Sequence, residues 1–323
     1  MNPQNAGVRS DVALLGRAER TAYREGPPLS RRATFVVGLV LLPAAAGWAA
    51  RDGPAWVTMW AVTFAEFFSI KFFTLHEAGG GRRGWRALAY VALWPGLNAR
   101  EFLGALPPRP EWTRLRVLVG ALANIALGAA LFSWAARQFP PNAASTTAPA
   151  LTGWCGMLGL ILVLHFGAFR LLAWAWCRAG VNAPPIMRTP IAATSLAEFW
   201  GARWNVAFAE TARRFLFRPL ARRFGARPAG AAVFLISGLV HESVISLPAR
   251  GGWGGPTLYF VLQAGGIAAE KSAVGRRLGL GCGGRGWLWT LGVTAAPVPL
   301  LFHAPFVARV MVPFVRELST FLP

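Results

Sequence analysis

The residues best suited to chemistry in this 323-residue chain are His241 and Glu242, which stand in the middle of the apolar run Ala229–Pro248. Ionisable side chains inside long apolar runs are costly, so they normally face a protein interior or a polar cavity and mark function. Ser237 and Gly238 precede the histidine by about one helical turn, so its face is small and polar. The imidazole is therefore a candidate general base, and the alternative is a structural hydrogen bond between helices.

A second group of polar residues precedes this run. Ala183–Pro190 contains three prolines and should form a surface loop. Thr194 or Ser195 can then cap a helix, and Glu198 occupies the position that completes a capping box. We therefore expect a helix that starts there and continues through residues 200–205 into an arginine-rich segment.

The arginine-rich segment alternates basic and aromatic residues, which is typical of an amphipathic helix at the level of lipid headgroups. Its members are Arg203, Arg213, Arg214, Arg218, Arg222, Arg223 and Arg227, interleaved with Trp204, Phe208, Phe215, Phe217 and Phe224. One interpretation is that these arginines anchor the chain to acidic lipids. The other is that some of them line an entry for an anionic ligand such as the phosphates of an acyl-CoA. Charge alone does not separate the two, and Arg203 is the best single candidate for a contact with a phosphate or with the pantetheine arm of the CoA.

The elements that must position these residues are predicted by composition. The chain is 54% apolar and 14% charged, with a net charge of +20, which excludes disorder and is unlike a soluble enzyme with about 25% charged residues. Apolar runs near the roughly 20 residues that cross a hydrocarbon core separate the charges: Phe35–Ala50, Ala55–Leu75, Val117–Ala136, Leu151–Trp176, Ala229–Pro248, Trp253–Ala269 and Trp287–Val315. We predict an all-α, polytopic membrane protein with seven to nine membrane helices or re-entrant segments, plus cytoplasmic interfacial helices.

Two of the apolar segments are irregular. Pro297, Pro299 and Pro305 interrupt the last run, so it is a kinked span, two short segments or a re-entrant element. Ala87–Leu97 has 11 residues and is too short to span, so we expect an interfacial or re-entrant segment on the cytoplasmic side.

The placement of basic residues predicts an orientation by the positive-inside rule. The arginines that precede the first apolar run, at 9, 17, 20, 24, 31 and 32, favour a cytoplasmic N-terminal segment over residues 1–33 rather than a secretory signal peptide. A single membrane domain over 34–323 follows. The loops from Arg82 to Arg114 and from Lys271 to Arg285 fall inside, whereas Gln138–Ala150 and the loop around Arg250 fall outside. This belt of arginines faces membrane lipids, and no nucleic-acid partner is expected.

Other motifs favour neither metal nor nucleotide chemistry. The dipeptide His-Glu at 76–77 and at 241–242 begins like the zinc-protease pattern H-E-x-x-H, but Gly80 and Ile245 stand where the second histidine belongs. The glycine-rich stretches lack the lysine and Ser/Thr of a phosphate loop. The cysteines are expected to be apolar fillers without ligand spacing: Cys155, Cys177 and Cys282. No metal is therefore expected.

Two segments resemble the signature blocks of the membrane-bound O-acyltransferases, in the wax-synthase-like branch. Residues 195–205, SLAEFWGARWN, are similar to a first block of the form S-L-x-D/E-F-W-G-x-R-W-N/H, and residues 236–242, ISGLVHE, to a membrane helix with S-G-x-x-H-E. Residues 94–98, WPGLN, also resemble an upstream segment of bacterial members, and the resemblance covers residues 90–272. Ala202 departs from the pattern, since an arginine is frequent there, which weakens any double-arginine contact.

The resemblance implies acyl transfer from a thioester, usually acyl-CoA, to a hydroxyl acceptor. It implies His241 as the general base and Asn205 as the second catalytic residue, whose amide orients the acceptor or donates to the developing oxyanion. The candidate substrate-binding residues are Arg203, Trp200, Trp204, Ser237 and Glu242. The two tryptophans wall an acyl channel or anchor the interface, and Glu242 pairs with an arginine or hydroxyl on a neighbouring helix.

The expected function is therefore wax ester synthesis, with acyl-CoA as co-substrate, a long-chain alcohol as acceptor and no cofactor. The expected location is a bacterial cytoplasmic membrane with the N-terminus inside. Two alternatives stay open: an enzyme of the same fold that acts on a sterol, a glycan or a protein, and a transporter, which would show paired broken repeats that the sequence lacks.

Overall fold

The computed structural model describes residues 29–79, 84–139 and 150–320, and every regular element in these ranges is helical. The predicted cytoplasmic segment up to residue 28, Arg82, Arg83 and most of the Gln138–Ala150 loop lie outside the described residues. The helices are α1 (Leu29–Ala49), α2 (Ala55–Glu77), α3 (Gly84–Leu93), α4 (Ala99–Leu103), α5 (Leu115–Ala136), α6 (Ala150–Arg178), α7 (196–203), α8 (206–224), α9 (Ala226–Ala249), α10 (Gly255–Lys271), α11 (Ala273–Leu278), α12 (Gly283–Leu301) and α13 (Ala304–Ser319).

The apolar runs form helices at the predicted places, which confirms the all-α prediction for the described residues. Helices α5, α6 and α9 are each long and apolar enough to cross a membrane, and the pair α12 and α13 adds a fourth if it is one broken span. Helix α10 is shorter, at 17 residues, and α2 interrupts its apolar sequence with Glu66 and Lys71. The chain has the build of a polytopic membrane protein, and the number of seven to nine segments stays a prediction.

Loops that the charge pattern assigns to different sides lie at opposite ends of α9 and α10. At one end, the Arg250 guanidinium donates to the carbonyl of Arg51 at 2.7 Å. At the other end, the indole of Trp287 donates to the carbonyl of Ile191 at 2.7 Å. The predicted outer loop around Arg250 is thus separated from the predicted inner loops by the length of these helices.

The proline-containing last run is a broken helix pair. Helices α12 and α13 are bent by 60° at the break over residues 302–303. Helix α13 packs across α6, where Gly153 and Gly156 lie directly against Val307 and Val315. A Cβ atom at either glycine would overlap these valines, so the close approach depends on the missing side chains.

A buried lysine supports the segment that follows α3. Pro95 prevents α3 from continuing. Lys71 of α2 is fully buried, and its Nζ donates to the carbonyls of Tyr90 at 2.6 Å, Trp94 at 2.5 Å and Gly96 at 2.8 Å. Tyr90 lies in the last turn of α3, and Trp94 and Gly96 lie beyond its end, so the lysine supplies donors to carbonyls that the end of the helix leaves without a partner.

Candidate active site

His241 lies in α9 immediately before a π-helical turn, Glu242–Ser246. Its Nδ1 is 2.7 Å from the backbone carbonyl oxygen of Ser237, one turn earlier. Because a carbonyl only accepts, Nδ1 carries the proton and donates, which leaves the lone pair on Nε2. The half-buried ring packs on Phe260 of α10 with 4.5 Å between the ring centroids. In its neutral form, the imidazole therefore presents Nε2 as the atom that can accept a proton.

Ser237 contacts His241 through its backbone carbonyl and not through its side chain. Its hydroxyl donates to the carbonyl of Val233 at 2.9 Å, so the side chain is turned back onto its own helix. A substrate contact by this hydroxyl stays a prediction.

Glu242 points away from His241 and caps the neighbouring helix α10. Its Oε1 accepts hydrogen bonds from the backbone N–H of Gly254 at 3.0 Å, the N–H of Thr257 at 3.0 Å and the hydroxyl of Thr257 at 2.9 Å. The expectation of a hydroxyl partner on a neighbouring helix is thus confirmed. A carboxylate at a helix N-terminus satisfies free N–H groups and interacts favourably with the helix dipole. A substrate contact by Glu242 stays a prediction.

The π turn carries two further polar contacts that the sequence analysis missed. The Ser243 hydroxyl donates to Oε1 of the buried Glu66 in α2 at 2.5 Å. Ser246 lies 3.2 Å from Nε2 of His303 at the break between α12 and α13. The histidine Nδ1 accepts from the N–H of Phe306, so Nε2 is the donor to Ser246. These contacts connect the turn after His241 to α2 and to the break between α12 and α13.

The first signature block begins with the predicted capping box. The Ser195 hydroxyl accepts from the N–H of Glu198 at 3.0 Å, and Oε2 of Glu198 accepts from the N–H of Thr194 at 2.9 Å. The expectation that the helix continues through residues 200–205 is wrong. Helix α7 ends at residue 203, because Asn205 adopts a left-handed conformation with φ 40°, which asparagine tolerates better than most residues.

Arg203 closes a clamp within the block. Its Nε donates to Oε1 of Glu198 at 2.7 Å, and NH1 donates to the carbonyl of Thr189 at 3.2 Å. Burial alone would raise the pKa of the Glu198 carboxyl, but the hydrogen bonds from Thr194 and Arg203 outweigh it, and the pKa is lowered. The carboxylate stays ionised at neutral pH and keeps the arginine engaged. The geometry gives Arg203 a positioning role, and its phosphate contact stays a prediction.

Asn205 is held by a short backbone pairing with the proline-rich loop. The N–H of Arg188 donates to the carbonyl of Arg203 at 2.8 Å, and the N–H of Val206 donates to Ile186 at 2.9 Å. Between them, the N–H of Asn205 points to the sulfur of Met187 at 3.2 Å. The side-chain Oδ1 of Asn205 is buried and accepts no hydrogen bond. A buried acceptor without a partner is costly, so Oδ1 of Asn205 is available to accept a hydrogen bond.

An aromatic row links the two signature blocks. Trp204 stacks on Phe199 at 5.7 Å, Phe199 contacts Trp200 at 5.0 Å, and Trp200 contacts Phe260 at 5.6 Å between ring centroids. Phe260 in turn packs on His241. Phe260 thus lies between Trp200 and His241, whereas Asn205 and His241 share no hydrogen bond.

Helix α10 fixes both blocks from one side. Near its C-terminal end, Oε1 of Glu270 accepts from the N–H of Leu196 at 2.6 Å, where α7 begins. In its middle, Oε1 of Gln263 accepts from the indole N–H of Trp200 at 3.2 Å. The sequence analysis missed both residues. The signal was present, since Gln263 and Glu270 are polar, seven positions apart in an apolar run and so on one helical face.

Within residues 29–79, 84–139 and 150–320, no three His, Cys, Asp or Glu side chains come together as a ligand set. The described site consists of His241, Asn205 and the aromatic row between them, among apolar helices.

Comparison with known proteins shows which sequences the region around the site is similar to. Residues 183–262 match the membrane bound O-acyl transferase family, so the predicted resemblance is confirmed over the region that contains both signature blocks. The chain is similar to three proteins of Arabidopsis thaliana, each named a probable long-chain-alcohol O-fatty-acyltransferase. The similarity to number 3 is 31% identity over 143 residues, which are 40% of this chain and 42% of the relative.

The other two relatives match shorter regions. Number 1 is 36% identical over 28% of this chain and 29% of its own length, and number 7 is 31% identical over 30% and 33%. The chain thus spans less than half of the length of each relative. These names support the wax-synthase-like branch that the motifs indicated.

Proposed function

We propose that this protein transfers an acyl chain from acyl-CoA to the hydroxyl of a long-chain alcohol and so forms a wax ester. The observation that carries the proposal is the fixed tautomer of His241, whose Nδ1 is bonded to the Ser237 carbonyl and whose Nε2 is free to accept a proton. The family match and the names of the relatives support the same chemistry. No cofactor is required for this reaction.

The proposed reaction is direct acyl transfer. Nε2 of His241 removes the proton of the alcohol as its oxygen attacks the thioester carbonyl carbon. The C–O bond forms, the tetrahedral intermediate collapses with cleavage of the C–S bond, and the imidazolium returns the proton to the thiolate of CoA. The products are the ester and free CoA, and the histidine is regenerated as a neutral base.

Asn205 acts as the second catalytic residue in this proposal. Its Oδ1 is a buried acceptor without a partner, which suits a hydrogen bond from the alcohol hydroxyl or from an N–H of the pantetheine arm. Because Asn205 and His241 do not touch each other, a substrate that contacts both must lie along the aromatic row between the two blocks.

The proposed orientation follows the arginines. We place the loops that carry Arg188, Arg203 and Arg276 on the cytoplasmic side of a bacterial inner membrane, with the N-terminus on the same side. Acyl-CoA is made in the cytoplasm and carries several phosphates, so it would approach this basic end. The alcohol is apolar and enters from the lipid.

The test is ester formation by the purified protein in lipid nanodiscs with labelled acyl-CoA and a panel of fatty alcohols, sterols and glycans. We expect labelled ester with long-chain alcohols, and His241→Ala should lower turnover by about 10²–10⁴-fold, the usual worth of a positioned base. Retained helical content by circular dichroism separates this loss from unfolding. Full activity of a folded His241→Ala variant contradicts the mechanism, and ester with sterols or glycans alone contradicts the alcohol assignment.

A further inference from the structure

We propose that Gln263 is a positioning residue that holds Trp200 against Phe260, the ring that packs on His241, and thereby limits the length of the alkyl chain that reaches the imidazole. The inference rests on the proposed acyl transfer and goes beyond it, because it assigns the residue that sets chain-length selectivity. Gln263 lies one position beyond the region that matches the family.

Both ends of the Gln263 amide are fixed. Its Oε1 accepts from the indole N–H of Trp200 at 3.2 Å, and its Nε2 donates to the carbonyl of Val293 in α12 at 2.8 Å. An indole only donates and a carbonyl only accepts, so these partners define the orientation of the amide. The side chain is fully buried, and the two hydrogen bonds therefore make a rigid connection from α12 through α10 to Trp200.

Trp200 connects Gln263 to the proposed base His241 through Phe260. Its indole contacts Phe234 of α9 at 6.0 Å and Phe260 of α10 at 5.6 Å between ring centroids. Phe260 lies against His241 at 4.5 Å, so one aromatic ring separates the indole from the imidazole. We call Trp200, Phe234 and Phe260 the aromatic wall. An alkyl chain with its reacting end at Nε2 of His241 runs along this wall or ends against it.

The hydrogen bond from Trp200 to Gln263 fixes the position of the indole in the aromatic wall. A partly buried indole N–H needs a partner, and leaving a buried donor without one costs about 1–3 kcal/mol. Without the Gln263 amide, the indole loses the contact that sets its rotamer and turns to another acceptor. The indole then leaves its position in the aromatic wall, and longer alkyl chains reach the imidazole of His241.

The experiment compares Gln263→Met, which keeps the volume but removes both hydrogen bonds, with Trp200→Phe, which removes the indole N–H. Each is assayed in nanodiscs with saturated acyl-CoAs of increasing length against one alcohol, and with alcohols of increasing length against one acyl-CoA. We expect the kcat/KM ratio of long to medium chains to rise about tenfold in one of these series, since one methylene in an apolar pocket is worth about 10–200-fold. The series that changes identifies the chain that the wall contacts.

The double variant tests whether Gln263 acts through Trp200. If both single changes remove the same contact, the double variant shifts the ratio no further than either single change. Additive shifts contradict the proposal. Trp200→Phe tests the same contact on its own if Gln263→Met does not fold.

Tyr259→Phe is the matched control. It removes another hydrogen bond between α10 and α12, in which the Tyr259 hydroxyl donates to the carbonyl of Thr294 at 3.1 Å, and it keeps the ring. We expect a loss of melting temperature similar to that of Gln263→Met and an unchanged chain-length ratio. An equal fall in activity at all chain lengths in Gln263→Met would show a structural role only and overturn the inference. Absence of any ester from the unmodified protein would instead overturn the proposed function, and this inference with it.

Discussion

At the scale of residues, the two proposed catalytic side chains are held in position by different means. His241 is set by one hydrogen bond within its own helix, from Nδ1 to the carbonyl of Ser237. Asn205 is set by its backbone, since it adopts a left-handed conformation between α7 and α8. The histidine therefore depends on the regularity of α9, and the asparagine depends on a break in the helical path.

The left-handed conformation of Asn205 makes its side chain separable from its backbone role. Asn205→Gly keeps the conformation without strain and removes the amide. Asn205→Ala also removes the amide, but it leaves a Cβ in the left-handed region, at about 1–2 kcal/mol, without the short polar side chain that lets asparagine adopt it. We expect both variants to lose at least about tenfold in kcat, and only the alanine variant to lose melting temperature. Activity near that of the unmodified protein in Asn205→Gly would show that only the turn matters at this position.

At the scale of elements, α10 is the common support of both signature blocks. Glu242 receives its N-terminal N–H groups, Gln263 holds Trp200, and Glu270 receives the first N–H of α7. These contacts lie at the start, the middle and the end of one helix. The distance between the two blocks is thus set by the length of α10.

The cap by Glu242 gives a graded prediction at this scale. Glu242→Gln keeps an acceptor for Gly254 and Thr257 but loses the charge that favours a helix N-terminus, worth about 0.3–1 kcal/mol. Glu242→Ala leaves these donors without a partner, at about 1–3 kcal/mol for a buried group. We expect the melting temperature to fall slightly in the first variant and clearly in the second, with ester formation falling in the same order. Equal stability of the two variants would contradict the capping role.

The sequence predicted these elements better than their contacts. The apolar runs and the capping box at Ser195 and Glu198 are local patterns, and both appear in the structure at the predicted places. The break at Asn205 was missed, because a single left-handed residue inside a helix-compatible sequence leaves no periodic signal. The role of Gln263 was missed for another reason, since its partner Trp200 lies 63 positions away in sequence. The clamp of Arg203 was missed although Glu198 is only five positions away, because charge alone is equally compatible with a phosphate contact. Charge and resemblance mark such residues as functional without showing what they touch.

At the scale of the whole molecule, the basic residues that give the chain its net charge of +20 lie mostly at one end of the helices. The loop with Arg188, the end of α10 and the loop before α12 meet at one end, as the contact of Trp287 with Ile191 shows. The contact of Arg250 with Arg51 lies at the other end. Most of the basic residues of the described chain belong to the first end, which the positive-inside rule assigns to the cytoplasm.

A native cysteine tests this orientation. Cys282 is exposed at the start of α12, whereas Cys177 is buried, and the proposed orientation puts Cys282 on the cytoplasmic side. A maleimide that does not cross membranes should label the protein in inside-out vesicles and not in intact cells. In a Cys282→Ser background that should lose this labelling, Asp52→Cys introduces a thiol in the exposed loop at the opposite end, where labelling should occur in intact cells. Labelling of both positions from the same side would contradict the arrangement of α9 and α10 across the membrane, and the reversed pattern would place the basic end outside, away from cytoplasmic acyl-CoA.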